Sequence, residues 1–72
     1  MNQETVLKVE GMSCANCVRH VDEALREIAG VAEVEVRLGE GKALITHDPA
    51  RAPLTALIEA VREAGYEAAP AS

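Results

Sequence analysis

The clearest pattern in the chain is the strict alternation of polar and apolar residues over positions 33–38, Glu-Val-Glu-Val-Arg-Leu. A period of two residues places neighbouring side chains on opposite faces of a sheet, so this segment predicts a half-buried β-strand. Segments 5–10 and 42–47 have a similar strand-like character. The sequence Gly39-Glu40-Gly41 predicts a hairpin turn between the second and third strands.

Two other segments repeat their apolar residues at intervals of three and four, which is typical of amphipathic helices. Within residues 15–29 these positions are Cys17, Val18, Val21, Ala24, Leu25 and Ile28. In the second segment they are Leu54, Leu57, Ile58 and Val61. Pro53 suits the first turn of the second helix, and Gly30 and Gly65 follow the two helices where a C-cap glycine is expected.

The order of these elements predicts an α+β fold. Residues 66–69 would form a short last strand, and residues 70–72 a tail or the start of a linker. Strand, helix, strand, strand, helix, strand is the order of a ferredoxin-like βαββαβ sandwich, with two helices on one face of a four-stranded antiparallel sheet. We expect one domain over residues 1–72, with its core at about residues 5–69. The other sheet face would be polar and carry Lys8, Glu10, Glu33, Glu35 and Arg37.

Composition and charge narrow the classes of function. The chain has 72 residues, a net charge of −5, 49% hydrophobic residues and two cysteines. No apolar run approaches the roughly 20 residues of a membrane helix, and no basic start precedes an apolar stretch as in a signal peptide. An acidic chain without a basic cluster is not expected to bind nucleic acid. Two cysteines cannot build a disulfide scaffold, so we expect a reducing, cytoplasmic setting. No arrangement of catalytic base and nucleophile is visible, and we predict no enzymatic activity.

The residues that can carry chemistry lie between the first strand and the first helix. Cys14 and Cys17 are separated by two residues, so both sulfurs can face one point if the second cysteine is in the first helical turn. The N-terminus of a helix favours anions and therefore suits thiolates. Soft sulfur ligands at a low-coordinate site select Cu(I). Structural zinc needs four ligands, and His47 is expected at the far end of another strand, so Zn(II) fits less well.

Two other interpretations of the cysteine pair compete with a metal site. Two buried structural cysteines are disfavoured by the polar, helix-initiating loop. A thioredoxin-like redox pair also uses this spacing, but the usual aromatic flanks are absent and the order of elements differs.

The sequence Gly-Met-Ser-Cys-Ala-Asn-Cys, from Gly11 to Cys17, resembles the heavy-metal-associated domain of bacterial copper chaperones and P-type metal ATPases. The resemblance covers about residues 6–68. It includes three further steps in the chain, Gly30-Val31, Asp48-Pro49 and Gly65-Tyr66. The resemblance implies that Cys14 and Cys17 hold Cu(I) as thiolate ligands in a nearly two-coordinate geometry.

The same resemblance implies supporting roles around the pair. Met12 matches a methionine that packs beneath the loop and is not a ligand. Ser13 stands where zinc-exporting relatives often have aspartate, and its neutral hydroxyl favours a monovalent soft ion. Tyr66 matches an aromatic residue common in bacterial members near the loop, and it either fills the core or shields the thiolates from water. His20 follows Cys17 by three residues on one helix, as a boundary side chain or as an accessory ligand.

Three functions follow from this resemblance. The first is a cytoplasmic chaperone that transfers Cu(I) by ligand exchange to a copper-transporting P-type ATPase. The second is the N-terminal metal-binding domain of such an ATPase, and the third a mercuric-ion binding module; Hg(II) and Zn(II) are the alternative metals. The residues leave open a copper-bridged homodimer. An acidic surface serves either solubility or docking, and consists of Asp22, Glu23, Glu27, Glu59, Glu63 and Glu67.

Overall fold

The computed structural model describes residues 2–12 and 14–71. Their elements are β1 (Gln3–Glu10), α1 (Ala15–Arg26), β2 (Val31–Arg37), β3 (Lys42–His47), α2 (Leu54–Glu63) and β4 (Glu67–Pro70). The strands form one sheet in the order β2-β3-β1-β4, and every neighbouring pair is antiparallel. The predicted ferredoxin-like sandwich is confirmed. Neither helix in this part of the chain is long and apolar enough to cross a bilayer.

The hydrophobic core lies between the two helices and one face of the sheet. The alternation in β1 and β3 turns Leu7 and Ile45 inward, and the stripes of α1 and α2 add Leu25 and Leu57, all with no exposed surface. Half-buried apolar side chains then extend the core, and they include Met12, Val31, Val36 and Tyr66. The core is built mainly from aliphatic side chains, as expected for a chain with one tyrosine and no phenylalanine or tryptophan.

His47 closes the core at the end of β3, which confirms its predicted place. Its side chain is only 2% exposed, yet both ring nitrogens have partners. Nδ1 lies 2.7 Å from the carbonyl oxygen of Ala52 and must donate to it, because a carbonyl only accepts. Nε2 forms a hydrogen bond of 2.7 Å with the Thr5 hydroxyl. The imidazole therefore joins β1, β3 and the segment that leads into α2.

The first helix is shorter than its apolar pattern predicted. It ends at Arg26 with Glu27 as C-cap, whereas the pattern continued to residue 29 and placed Gly30 at the cap. Residues 27–30 form a turn, in which Gly30 has φ +100°. The Gly30 carbonyl accepts a hydrogen bond from the Asp48 N–H at 2.8 Å. Gly30 is therefore needed for the entry into β2 and for close approach of residues 48–52, and its predicted place at the helix cap was wrong.

The last strand lies one residue further along the chain than predicted, at Glu67–Pro70 in place of residues 66–69. We expected a tail from Pro70, but Pro70 pairs with Leu7 in β4, and the N–H of Ala71 donates to the Val6 carbonyl at 3.0 Å. β4 is an edge strand, where one side of the backbone has no neighbour and a proline without an N–H is tolerated.

Candidate metal centre

The cysteine loop lies at one end of the sheet, where three connections meet. It follows the end of β1, and the β2–β3 hairpin lies at the same end because Lys8 of β1 pairs with Lys42, the first residue of β3. The N–H of Val9 donates to the Gly41 carbonyl at 2.7 Å, which fixes the hairpin to β1. The α2–β4 turn also reaches this end, since Glu67 at the start of β4 pairs with Glu10.

Cys14 and Cys17 lie where the spacing predicted, on the N-cap and in the first turn of α1. The Cys14 carbonyl accepts the N–H groups of Cys17 at 3.1 Å and of Val18 at 3.2 Å, which begins the helix. The Cys14 side chain makes no capping hydrogen bond. Its sulfur lies 2.9 Å from that of Cys17, and Cys14 is exposed whereas Cys17 is half-buried. The helix start therefore brings the two sulfurs together and leaves one side of the pair open to solvent.

Tyr66 covers the other side of the pair. A Cβ atom added to Gly11 would lie 3.4 Å from Cδ1 of Tyr66, so the tyrosine ring lies against the start of the loop. The Tyr66 pKa is raised to about 12, first by a hydrogen bond to the Cys17 side chain, then by desolvation and by the charge of Cys17 and Cys14. A phenol that remains neutral can donate this hydrogen bond to a thiolate. Tyr66 thus packs against the core and also contacts the Cys17 side chain. Core filling and a contact with the cysteine pair, which the sequence offered as alternatives, are therefore compatible.

The other residues singled out from the sequence are placed differently. Met12 is half-buried and packs against the core. Ser13 lies outside the described residues. His20 is exposed on α1. Within residues 2–12 and 14–71, no three His, Cys, Asp or Glu side chains form a group that could hold a metal ion. The structure therefore does not bring His20 into a ligand set with the two cysteines.

Sequence reasoning missed two contacts that position the loop. The Gly39-Glu40-Gly41 turn was predicted, but its hydrogen bond to β1 depends on strand register, which a local pattern does not reveal. The Tyr66–Cys17 hydrogen bond joins residues 49 positions apart in the sequence (66 − 17 = 49). The available signal was the family resemblance, which placed the aromatic side chain of Tyr66 near the loop but did not give this hydrogen bond.

Two sulfurs that no His, Asp or Glu of the described residues joins in a three-ligand group suit a soft ion that accepts few ligands. They do not suit structural zinc, which needs a closed set of four. The exposed sulfur of Cys14 also allows a ligand from another molecule to reach such an ion.

Comparisons with known proteins agree with this geometry. The chain is 41% identical over 68 residues to the copper chaperone CopZ of Enterococcus hirae, covering 94% of this chain and 96% of that protein. It is 48% identical over 61 residues to copper-transporting ATPase 2 of Rhizobium meliloti, covering 85% of this chain but spanning only 7% of the ATPase.

A solved structure has the same fold. It is the N-terminal domain of a potential copper-translocating P-type ATPase from Bacillus subtilis in the Cu(I)-loaded state, with TM-score 0.92 and 30% identity, covering 97% of this chain and 88% of that one. The family profile described as "Heavy-metal-associated domain" matches residues 6–67. The chain belongs to the heavy-metal-associated domain family.

Proposed function

We propose that the protein is a Cu(I) chaperone that binds copper through Cys14 and Cys17 and transfers it to a copper-transporting ATPase. The observation that carries the proposal is the pair of sulfurs at the start of α1, which lie 2.9 Å apart and with which no His, Asp or Glu of the described residues forms a three-ligand group. The nearly full-length similarity to a copper chaperone supports the same metal. Cu(I) is favoured over Zn(II) because a pair of soft sulfurs suits an ion that accepts few ligands, and over Hg(II) because the relatives named above are copper proteins.

Release of copper is as important for a chaperone as its binding, and the unequal exposure of the two sulfurs serves both. A thiolate of the partner adds to the bound Cu(I), and the bond from Cys14 or Cys17 to copper then breaks. The oxidation state of copper does not change, and the displaced thiolate can take up the proton that the incoming thiol loses. Cys14 is the sulfur that a partner reaches first, because it is exposed while Cys17 is half-buried and hydrogen-bonded to Tyr66. No covalent bond of a substrate is made, so we propose no enzymatic role.

The copper site must widen when it loads. If each copper–sulfur bond is as long as the ~2.3 Å of a zinc–thiolate bond, the sulfurs of a linear two-coordinate ion lie roughly 4.6 Å apart. The sulfurs now lie 2.9 Å apart and would move by roughly 1.7 Å relative to one another. We assign this movement to Cys14, since Cys17 belongs to the first helical turn and contacts Tyr66.

The N-terminal metal-binding domain of a copper ATPase is the second candidate. Its support is the 48% identity to a copper-transporting ATPase of which this chain spans 7%. Both candidates place one heavy-metal-associated domain over residues 1–72, and for the chaperone we propose that it works in the cytoplasm, where thiols stay reduced. The direction of copper transfer distinguishes the chaperone from the ATPase domain. A chaperone should donate Cu(I) to the metal-binding domain of a partner ATPase, and high salt should slow that transfer if exposed acids such as Glu59 and Glu63 steer docking.

A competition titration of the reduced protein with Cu(I), Zn(II) and Hg(II) tests the proposal. We expect tight binding of Cu(I) that Cys14→Ser and Cys17→Ser each weaken by orders of magnitude. His20→Ala is the matched control, because His20 lies on the same helix three residues from Cys17 but is exposed. Unchanged Cu(I) affinity in His20→Ala removes it as an accessory ligand. Tight Cu(I) binding that survives both cysteine substitutions contradicts the proposal.

A further inference from the structure

The face of the sheet that the helices leave uncovered has its charges in separate rows. On this open face, β1 presents Glu4, Val6, Lys8 and Glu10, because Leu7 and Val9 point into the core. Strand register aligns these side chains with those of β3 and β2. Three rows result, each with one residue from β1, one from β3 and one from β2. The row that we call the cation row consists of Lys8, Lys42 and Arg37, and the central row consists of Val6, Leu44 and Glu35. The acid row consists of Glu4, Thr46 and Glu33.

The cation row is unfavourable within a single copy. Like charges directly opposite each other on neighbouring strands are destabilising, and Lys42 has Lys8 on one side and Arg37 on the other. Arg37 is compensated by ion pairs with Glu35 at 2.7 Å and Glu40 at 3.2 Å. Neither lysine has an ion pair with a described residue.

The acid row is equally uncompensated. Glu4 and Glu33 are exposed and form no ion pair within residues 2–12 and 14–71. Together with Glu35, they border a depression whose lining also includes Leu44, Thr46 and one cation, Arg26, whose ion pair is with Asp22. Beyond the cation row, Glu10 and Glu67 face each other across β1 and β4, at the edge of the face. The open face thus carries unpaired cations and unpaired anions on opposite sides of a row with two apolar side chains.

We propose that the open face is a self-complementary docking surface for a second copy of this chain. The cation row and the acid row each lie two residues from the central row, about 7 Å along the strands. A two-fold axis that runs across the strands along the central row therefore places each cation row over the acid row of the partner. Lys8 then faces Glu4 of the partner subunit, and Arg37 faces Glu33 of the partner subunit, with each pair formed twice. At the axis each residue of the central row faces its own copy, so Leu44 and Val6 make apolar contacts. Glu35 there faces Glu35 of the partner subunit, and its ion pair with Arg37 offsets part of that repulsion.

The area and net charge predict a weak association. The three rows over three strands cover roughly 15 by 20 Å, on the order of 300 Å² per copy. That is less than the roughly 800 Å² per partner of a stable interface, and each copy carries a charge of −5 that repels the other. The dimer is therefore expected only near millimolar concentration. The same axis places the two cysteine loops at opposite ends, so this association needs no metal and leaves both loops open.

The test uses the metal-free double variant Cys14→Ser/Cys17→Ser, which separates this association from a copper bridge and from the success of the proposed function. Sedimentation equilibrium and amide chemical shifts are followed from micromolar to millimolar concentration at moderate salt. We expect weak dimerisation, with shifts concentrated on β1, β2 and β3. Lys8→Glu should weaken it by roughly tenfold, whereas Arg62→Glu on α2 makes the same change in net charge and should weaken it much less.

A charge swap makes the test decisive. Glu4→Lys alone should also weaken dimerisation relative to Glu59→Lys on α2, its matched control. Lys8→Glu combined with Glu4→Lys restores complementary pairs across the same axis and should recover the original affinity. A monomer at millimolar concentration overturns the proposal, as does a double variant that dimerises no better than either single one. Circular dichroism establishes that each variant is folded before it is compared.

Discussion

Two glycines with nearly equal φ and different surroundings permit a sharp prediction about stability. Gly30 has φ +100° and Gly65 has φ +101°, so an L-residue is strained at both positions. A Cβ at Gly65 would have no neighbour within 4 Å. A Cβ at Gly30 would lie 2.7 Å from Cβ of Arg51 and 3.2 Å from Cβ of Ala52, which is fully buried. A comparison of alanine substitutions at the two positions therefore distinguishes the cost of backbone strain from the cost of steric overlap.

We expect Gly65→Ala to lower the free energy of unfolding by about 1–2 kcal/mol, the cost of left-handed backbone for a residue with Cβ. Gly30→Ala should cost about 1–3 kcal/mol more, because residues 51 and 52 must shift. A domain of 72 residues is stable by about 4–11 kcal/mol, so Gly30→Ala removes a large part of its stability.

Urea unfolding of the metal-free protein, followed by far-ultraviolet circular dichroism, measures both variants. Gly39→Ala is the control, since Gly39 has no positive φ and a Cβ there would have no neighbour within 4 Å. It should leave the stability nearly unchanged or raise it slightly. The denaturant slope should stay constant across the series, which shows that only stability has changed. Equal losses at positions 30 and 65 would refute the reasoning, because the close packing of Gly30 would then carry no cost.

Three further predictions follow from single side chains. In metal-free protein the tyrosine absorbance should report half-ionisation of Tyr66 at about pH 12, and Cys17→Ser should return this pKa towards about 10. Because the fold favours the neutral phenol, the hydrogen bond of Tyr66 stabilises the folded state fully below about pH 10. This stabilisation is lost as the pH rises to about 12, and urea unfolding at several pH values measures the loss. Leu25→Ala should cost about 2–5 kcal/mol of unfolding free energy in urea, against less than about 0.5 kcal/mol for the exposed Arg62→Ala. His47→Leu should cost about 1–3 kcal/mol by thermal unfolding, because the Ala52 carbonyl and the Thr5 hydroxyl lose their partner.

The sequence was sufficient for the fold because local patterns and fold agree along most of the chain. Alternation in residues 33–38 and the apolar stripes of both helices each have one structural solution, and packing satisfies all of them together. The end of α1 was missed because Ile28 continues the apolar stripe in the turn after the helix, where it still packs against the core. Periodicity alone cannot distinguish a last helical turn from a turn that packs in the same direction.

The candidate site was predictable to the extent that it is local. The positions of Cys14 and Cys17 follow from their spacing at a helix start, where one residue is the cap and the other lies in the first turn. The cover of the pair was not predictable in the same way. The contact of Tyr66 with Gly11 and Cys17 depends on how β4 pairs with β1, and no pattern within either segment encodes that register.

The uncapped start of α1 has a consequence for the dynamics of the metal-free protein. Serine, threonine or aspartate at an N-cap accepts a hydrogen bond from the first turn, and its loss costs about 1 kcal/mol. Cys14 occupies that position without a capping hydrogen bond, and the first turn contains no acidic residue. The amide hydrogens at the start of α1 should therefore exchange with solvent faster than those near Leu25. A cation that both sulfurs bind would hold the first turn in place and slow this exchange, so cargo loading and local folding become one event.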